Sequence, residues 1–193
     1  MTAREGMTNL ILRLRGMTAA GSADYSVGGV DYWTDDQLQD RLDMARQDLN
    51  RVPLVPSSEY QGGTALYYDY YAPVGNLEEY DTTNAAVFQV EDGDGDAAGT
   101  ADYTADYLRG VIRFGSDQAG TAWYIRARTY NMNAAASMVW YDKAAHYAGQ
   151  FDVKTDNHDL KRSQLLDQAL KMAARYEVNS GIGSAKMVRS DLV

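Results

Sequence analysis

The sequence predicts an α+β protein: a small helical bundle built from N-terminal and C-terminal helices, an inserted antiparallel β lobe, and a flexible C-terminal tail. Three observations predict it. Apolar residues recur at helical spacing near both ends of the chain, at Met7, Leu10, Ile11 and Leu14 and again from Asn133 onward. From Ala65 the period falls to two, in short segments rich in aromatic and β-branched residues separated by Gly, Asn and Asp. The last stretch, Asn179 to Val193, has little periodicity of either kind. The expected division is 1–56 for the N-terminal helices, 57–130 for the β lobe, 131–178 for the C-terminal helices and 179–193 for the tail.

Met7, Leu10, Ile11 and Leu14 give a short amphipathic helix ending at Gly16, followed by a Gly/Ala/Ser-rich connector to about Asp24. Thr34 stands three residues before Gln37, a capping-box spacing. Leu38, Leu42, Ala45, Leu49 and Val52 then step by four, three, four and three, which predicts one helix from Thr34 to Val52, stopped by Pro53 and kept from resuming by Pro56. Strands are expected near Ala65 to Ala72, Ala85 to Glu91, Gly110 to Gly115 and Thr121 to Tyr130. In the last of these Trp123, Ile125 and Ala127 point one way and Tyr124, Arg126, Arg128 and Tyr130 the other, as in a sheet with one dry and one wet face. After Asn133, Met138, Tyr141, Ala145 and Ala148 form one stripe, with Trp140, Ala144 and Tyr147 on its neighbour. Phe151 and Val153 cross a loop, and Leu166, Ala169, Leu170, Ala173 and Tyr176 mark a last long helix, with Asp159 or its polar neighbours as caps.

With 193 residues, 45% hydrophobic and 23% charged, the chain has the balance of a folded protein and enough length for a full core. Its net charge of −9 is unevenly placed: residues 53–130 hold 12 acids against 4 bases, residues 131–193 hold 7 against 8. A surface of that sign repels phosphate backbones, which argues against tight nucleic-acid binding while leaving contact without adhesion open. There are no cysteines, so neither disulfides nor thiolate zinc sites are expected. Arg4 and Glu5, then Arg13 and Arg15, cut the first apolar run far below a signal-peptide core, and no stretch reaches the ~18 apolar residues of a membrane span.

The motifs that suggest chemistry fail at the positions where chemistry is strictest. In Val90-Glu91-Asp92-Gly93-Asp94-Gly95-Asp96-Ala97, the acids alternate as at the start of an EF-hand loop. Counted from Asp92, however, the turn glycine is replaced by Ala97 and the bidentate acid by Tyr103, so a solvated loop tip explains the run with no ion. Four of the 15 tyrosines cluster at Tyr67, Tyr68, Tyr70 and Tyr71. They suit an interface, where a tyrosine offers an apolar body and a polar tip; a sugar-binding platform is the alternative. His146 and His158 have no HExxH or second ligand set, and both are expected at the surface. Glu78-Glu79 are adjacent acids on a loop, expected to be solvated, and do not define a glycosidase pair. Gly181 to Lys186 lacks P-loop spacing and follows a helix. No catalytic site, cofactor or metal is expected.

The run Tyr130, Asn133-Ala134-Ala135-Ala136, Trp140, Lys143-Ala144, Tyr147, Phe151-Asp152-Val153, Lys161-Arg162-Ser163-Gln164, Gln168-Ala169, Met172-Ala173 and Tyr176, together with Tyr32-Trp33-Thr34-Asp35-Asp36-Gln37-Leu38, resembles the head-tail connector (adaptor, or head-completion) proteins of tailed bacteriophages. The resemblance covers about two thirds of the chain and is weaker in the β lobe. It implies a structural virion protein of the particle neck, made in the bacterial cytoplasm, that forms a homo-oligomeric ring, usually dodecameric. The ring sits beneath the portal protein, joins it to the tail or a stopper (tail-completion) protein, and continues the DNA channel without binding DNA specifically. On that reading Tyr67, Tyr70, Trp140 and Tyr147 are the expected contacts between copies, and Lys186 and Arg189 in the tail are the expected contacts with portal. An acidic wall, from the lobe or from the Asp-rich helix after Thr34, would let DNA pass without sticking. The alternative is a carbohydrate-binding or tail-tip module using the tyrosine-rich strand.

Overall fold

A computed structural model describes residues 3–82, 87–149, 153–155, 158–160 and 162–181, with the backbone alone from 153 to 162. The protein is a mixed α+β chain; among the described residues there are four α-helices, and every strand pairing is antiparallel.

A single 3₁₀ turn over Glu5–Met7 leads into α1, Thr8–Thr18. The helix runs through Gly16 and stops at Ala19, which adopts a left-handed conformation (φ 48°) and lets Ala20 N donate to Arg15 O at 3.3 Å. The connector then forms a small hairpin of β1, Tyr25–Val27, and β2, Val30–Tyr32. Helix α2, Asp35–Met44, opens on the expected capping box: Thr34 Oγ1 accepts from Gln37 N at 3.4 Å, and Gln37 Oε1 accepts from Thr34 N at 2.9 Å.

The helix does not continue to Val52. It ends at Met44, and β3, Arg46–Pro53, takes its place. The misleading signal has a geometric cause. β3 pairs Leu49 with Ala127 and Val52 with Ile125, so two residues intervene on one strand against one on the other, with Arg51 in the left-handed region (φ 52°). This bulge turns two residues three apart toward the same side and so imitates a helical step. The sheets therefore recruit residues expected in the helices, and the β part begins at Arg46 instead of after 56.

β4, Val55–Gln61, and β5, Thr64–Tyr71, form a long hairpin turned at Gly62-Gly63, whose φ values of 60° and 86° suit the tight reversal of a two-residue turn. Then come β6, Phe88–Glu91, β7, Tyr103–Asp106, β8, Val111–Phe114, and β9, Tyr124–Tyr130. One sheet has the order β3-β9-β6 and the other β4-β5-β8-β7. Leu54, Tyr70, Leu77, Phe88, Val90, Ile112, Phe114, Ile125 and Ala127 fill the core they share. The alternation expected in β9 is observed from Ile125 to Ala127, with Ile125 and Ala127 buried and Arg126 exposed, but it fails at Tyr130, expected on the wet face and buried here among the helices.

Helix α3, Met132–Ala148, begins at the cap Asn131, whose side chain accepts from Ala134 N at 3.0 Å. Its buried side is Ala135, Ala136, Val139 and Lys143, while Tyr141 and Ala145 of the expected stripe are exposed. A short pair, β10 at Val153–Thr155 and β11 at His158–Leu160, stands where a loop was expected. Helix α4, Arg162–Ser180, packs chiefly along α3 through Ala169 and Ala173. A second core joins α1, α2 and α3 around Trp33 and Tyr130. Among the described residues, no helix is long and apolar enough to cross a membrane.

Candidate interaction surface

The residues that join the helices to the sheets form a compact ionic network. Segment 76–79 lies alongside the end of β9, with Glu78 N donating to Arg128 O at 2.9 Å and Leu77 bridging Thr129. Glu78 is thereby carried inside, to 1% exposure. Arg4 Nε donates to its Oε1 at 2.9 Å, Tyr130 Oη donates to its Oε2, and Arg128 Nη1 lies 3.6 Å from Oε2. The other side of the Arg4 guanidinium forks onto Asp43 of α2 at 2.9 and 2.6 Å. Asp43 first, and Glu78 after it, hold Arg4 well above its ordinary pKa, while burial and then the bond to Glu78 push the Tyr130 hydroxyl up. Glu78 is thus buried against Arg4, Arg128 and Tyr130, not the solvated loop acid expected.

A second buried carboxylate, Glu91, sits under the outer face of the β3-β9-β6 sheet. Arg126 Nε reaches its Oε2 at 2.9 Å, and Arg51 Nε lies 3.7 Å from Oε1. Arg51 also donates to Gly93 O and stacks 5.0 Å over the Tyr124 ring. The adjoining acidic loop is held by its own backbone: Asp92 Oδ1 accepts from the N–H groups of Asp94, Gly95 and Asp96 at 2.9 to 3.0 Å. That is the arrangement of an Asx-type loop tip. Among the described residues, no group of three or more acids and histidines is placed to hold a metal.

Lys143 is 3% exposed and caps α1 from α3, donating to Thr18 O at 2.9 Å and Ala19 O at 3.1 Å, with Asp24 as its counter-ion. The sequence offered no signal for any of these three sites, because their partners lie from 35 to 126 residues apart.

The expected contact residues are not gathered on one surface. Tyr70 is 0% exposed, its ring edge-on to Phe114 and its hydroxyl bonded to Thr121 O at 3.1 Å. It belongs to the sheet core and leaves nothing for a neighbour to touch. Tyr67 is half-buried against the same core. Trp140 is half-buried with Nε1 3.4 Å from Met17 O, and Tyr147 is half-buried with its ring edge on His146. His146 itself stacks on Tyr25 at 3.9 Å and is not the free surface residue expected. Lys186 and Arg189 lie outside the described residues, as does the side chain of His158.

The exposed apolar groups are elsewhere. β5 pairs with β8 only at Asp69, Tyr70 and Tyr71, and Tyr67 is still tied to Asp117 and Gln118, so the hairpin stands out as an arm only beyond Tyr67. Every residue from 55 to 64 is exposed, and Tyr60 near its tip is 77% exposed. Helix α4 shows Leu165, Leu170 and Val178, the last 82% exposed. A cavity of about 780 Å³ between helices and sheets is lined by Met17, Met44, Met132 and Met138 with Arg13 and Arg46, and has no carboxylate or imidazole on its wall for acid–base work. The chain matches no protein-family model, and no curated protein or solved structure matches it.

Proposed function

We propose that the chain is a structural adaptor of a tailed-phage particle: a helical bundle carrying a β lobe, closing with identical copies into a ring, dodecameric in the family it resembles. The ring lies at the virion neck beneath the portal protein, joins it to the tail or stopper protein, and continues the DNA channel. The reading rests on the resemblance of the helical segments, and the observation that carries it is the hairpin end of residues 58–64, exposed throughout and carrying Tyr60. The end of the hairpin is two-stranded and exposed, which suits a surface for a partner. The outward Leu165, Leu170 and Val178 of α4 supply a second apolar face of the same kind. Lys186 and Arg189 are the proposed contacts with portal, and the acids of the β lobe keep DNA from adhering.

The test is the mass of the purified protein alone and with portal protein, by light scattering and by imaging. Co-assembly into a closed ring is the expected result. A chain that stays single beside assembled portal, or that turns over a substrate, overturns the reading.

A further inference from the structure

We propose that residues 182–193 dock on their own chain, in the methionine-lined cavity between helices and sheets, with Met187, Val188 and Leu192 against its apolar wall and Asp191 at Arg13. The inference stands apart from the adaptor reading, because it concerns what covers this groove in a single free copy.

Three bonds bring the end of α4 to the rim of the groove. Asn131 Nδ2 donates to Ser180 O at 2.8 Å, Asn133 Nδ2 donates to Asn179 O at 3.0 Å, and Tyr176 Oη donates to Met17 O at 3.1 Å. Asn131, Asn133 and Met17 are themselves part of the groove wall, so the residues that follow Gly181 set out from its opening. The ten residues from Ile182 to Asp191 span up to ~33 Å when extended. Arg13 stands one turn, about 6 Å, before Met17 on α1 and is well within that reach.

The wall suits a short apolar segment. Four of the chain's 8 methionines, Met17, Met44, Met132 and Met138, meet there with Val74. Met44 is 66% and Val74 38% exposed, so apolar surface is left uncovered by the described residues. Methionine is unbranched and polarizable, and it shapes itself to incoming side chains without a preformed slot for each. Ile182, Met187, Val188, Leu192 and Val193 supply such side chains.

Charge sets the register. The groove is lined by Arg13 and Arg46 and by no acid. Arg46 is already paired with Asp48 at 3.0 Å, whereas Arg13 donates to the neutral Asn76 Oδ1 at 2.7 Å and, among the described residues, meets no carboxylate. Asp191 is the one acid in 182–193, and seating it at Arg13 leaves Lys186 and Arg189 to the open side, clear of both arginines. The tether favours this occupant over a second copy. A short link holds the segment at an effective concentration of millimolar order, so even a contact that a free peptide would make at only ~1 mM is closed about half the time.

The test uses the full chain with a photo-crosslinking phenylalanine analogue in place of Val188. An equal mixture of ordinary and heavy-isotope protein is irradiated, digested and read by mass spectrometry. The expected crosslinks join position 188 to peptides containing Met17, Met44 or Met138, light to light and heavy to heavy only. Arg13→Glu and Asp191→Arg should each lower their yield about threefold, and the two reversals together should restore it, with circular dichroism to show that each variant folds. Mixed light–heavy pairs would put a second copy in the groove. Those, crosslinks to other parts of the chain, no crosslinks, or a yield that neither charge reversal moves, overturn the inference. None of these outcomes bears on assembly with portal protein, which the particle mass reads separately.

Discussion

Both oxygens of Glu78 are engaged, so the cost of burying this carboxylate is offset only while its cations stay in place. Arg4 is the principal one. Removing one partner of a buried pair typically costs 3–5 kcal/mol, and the 29% exposure of the Arg4 side chain lowers the expectation for Arg4→Ala to about 2–3 kcal/mol. Urea unfolding measures it. Because most of that loss comes from a stranded charge and not from lost packing, adding Glu78→Gln to Arg4→Ala should recover part of it. A single variant within about 0.5 kcal/mol of wild type would show that the pair is ornamental. None of this was legible beforehand: Glu78-Glu79 reads as two solvated acids because the partners of Glu78 stand at positions 4, 128 and 130, and a linear pattern carries no sign of a bond across 74 residues. The same blindness covers Lys143, a lysine inside a helix whose burial is decided by the carbonyl ends of another helix.

At the scale of elements, what could be read was what is local. The capping box at Thr34 lies within four residues and is formed as expected; Thr34→Ala should lower stability by about 1 kcal/mol, seen as a shift of the denaturation midpoint with unchanged slope. A Thr34→Asp variant, which keeps the cap acceptor, should lose much less, and equal losses would mean that the hydroxyl caps nothing. Strand β9 was legible from its alternation as far as Ala127, though Tyr130, read as wet, is buried by the helices, and α4 was legible from Ala169 and Ala173. Two elements were misread for identifiable reasons. The bulge at Arg51 set Leu49 and Val52 three apart, and a three-residue step is the signature of a helix. In α3 the buried side includes Lys143, so the inner stripe looked polar and an outer one, through Tyr141 and Ala145, looked more continuous. Tyrosines mislead in a related way: Tyr70 and Tyr71 are adjacent, and only the pleat decides that the first is core and the second is exposed.

Across the whole molecule, β9 is the element common to both cores: Ile125 and Ala127 pack between the sheets, and Tyr130, five residues after Ile125, packs among the helices. The two cores should therefore unfold as one unit, and high pH tests this because each contains a tyrosine with a raised pKa. Burial, then nearby Asp142, pushes Tyr25 of the helical part up to about 12; burial, then Tyr107, pushes Tyr103 of the sheets up to about 12; Tyr130 between them is raised further in the same direction. A tyrosine whose folded pKa exceeds its unfolded value of 10.0 binds more protons when folded, so its contribution is complete below pH 10 and is lost as pH climbs toward the folded pKa. Stability should accordingly fall between pH 10 and 12. Tyrosinate absorbance and far-ultraviolet circular dichroism followed together should trace one coincident transition if β9 couples the cores. Two separated steps would mean that the helices and the sheets hold themselves together independently, with the Arg4–Glu78–Tyr130 network a contact between them and not a part of either core.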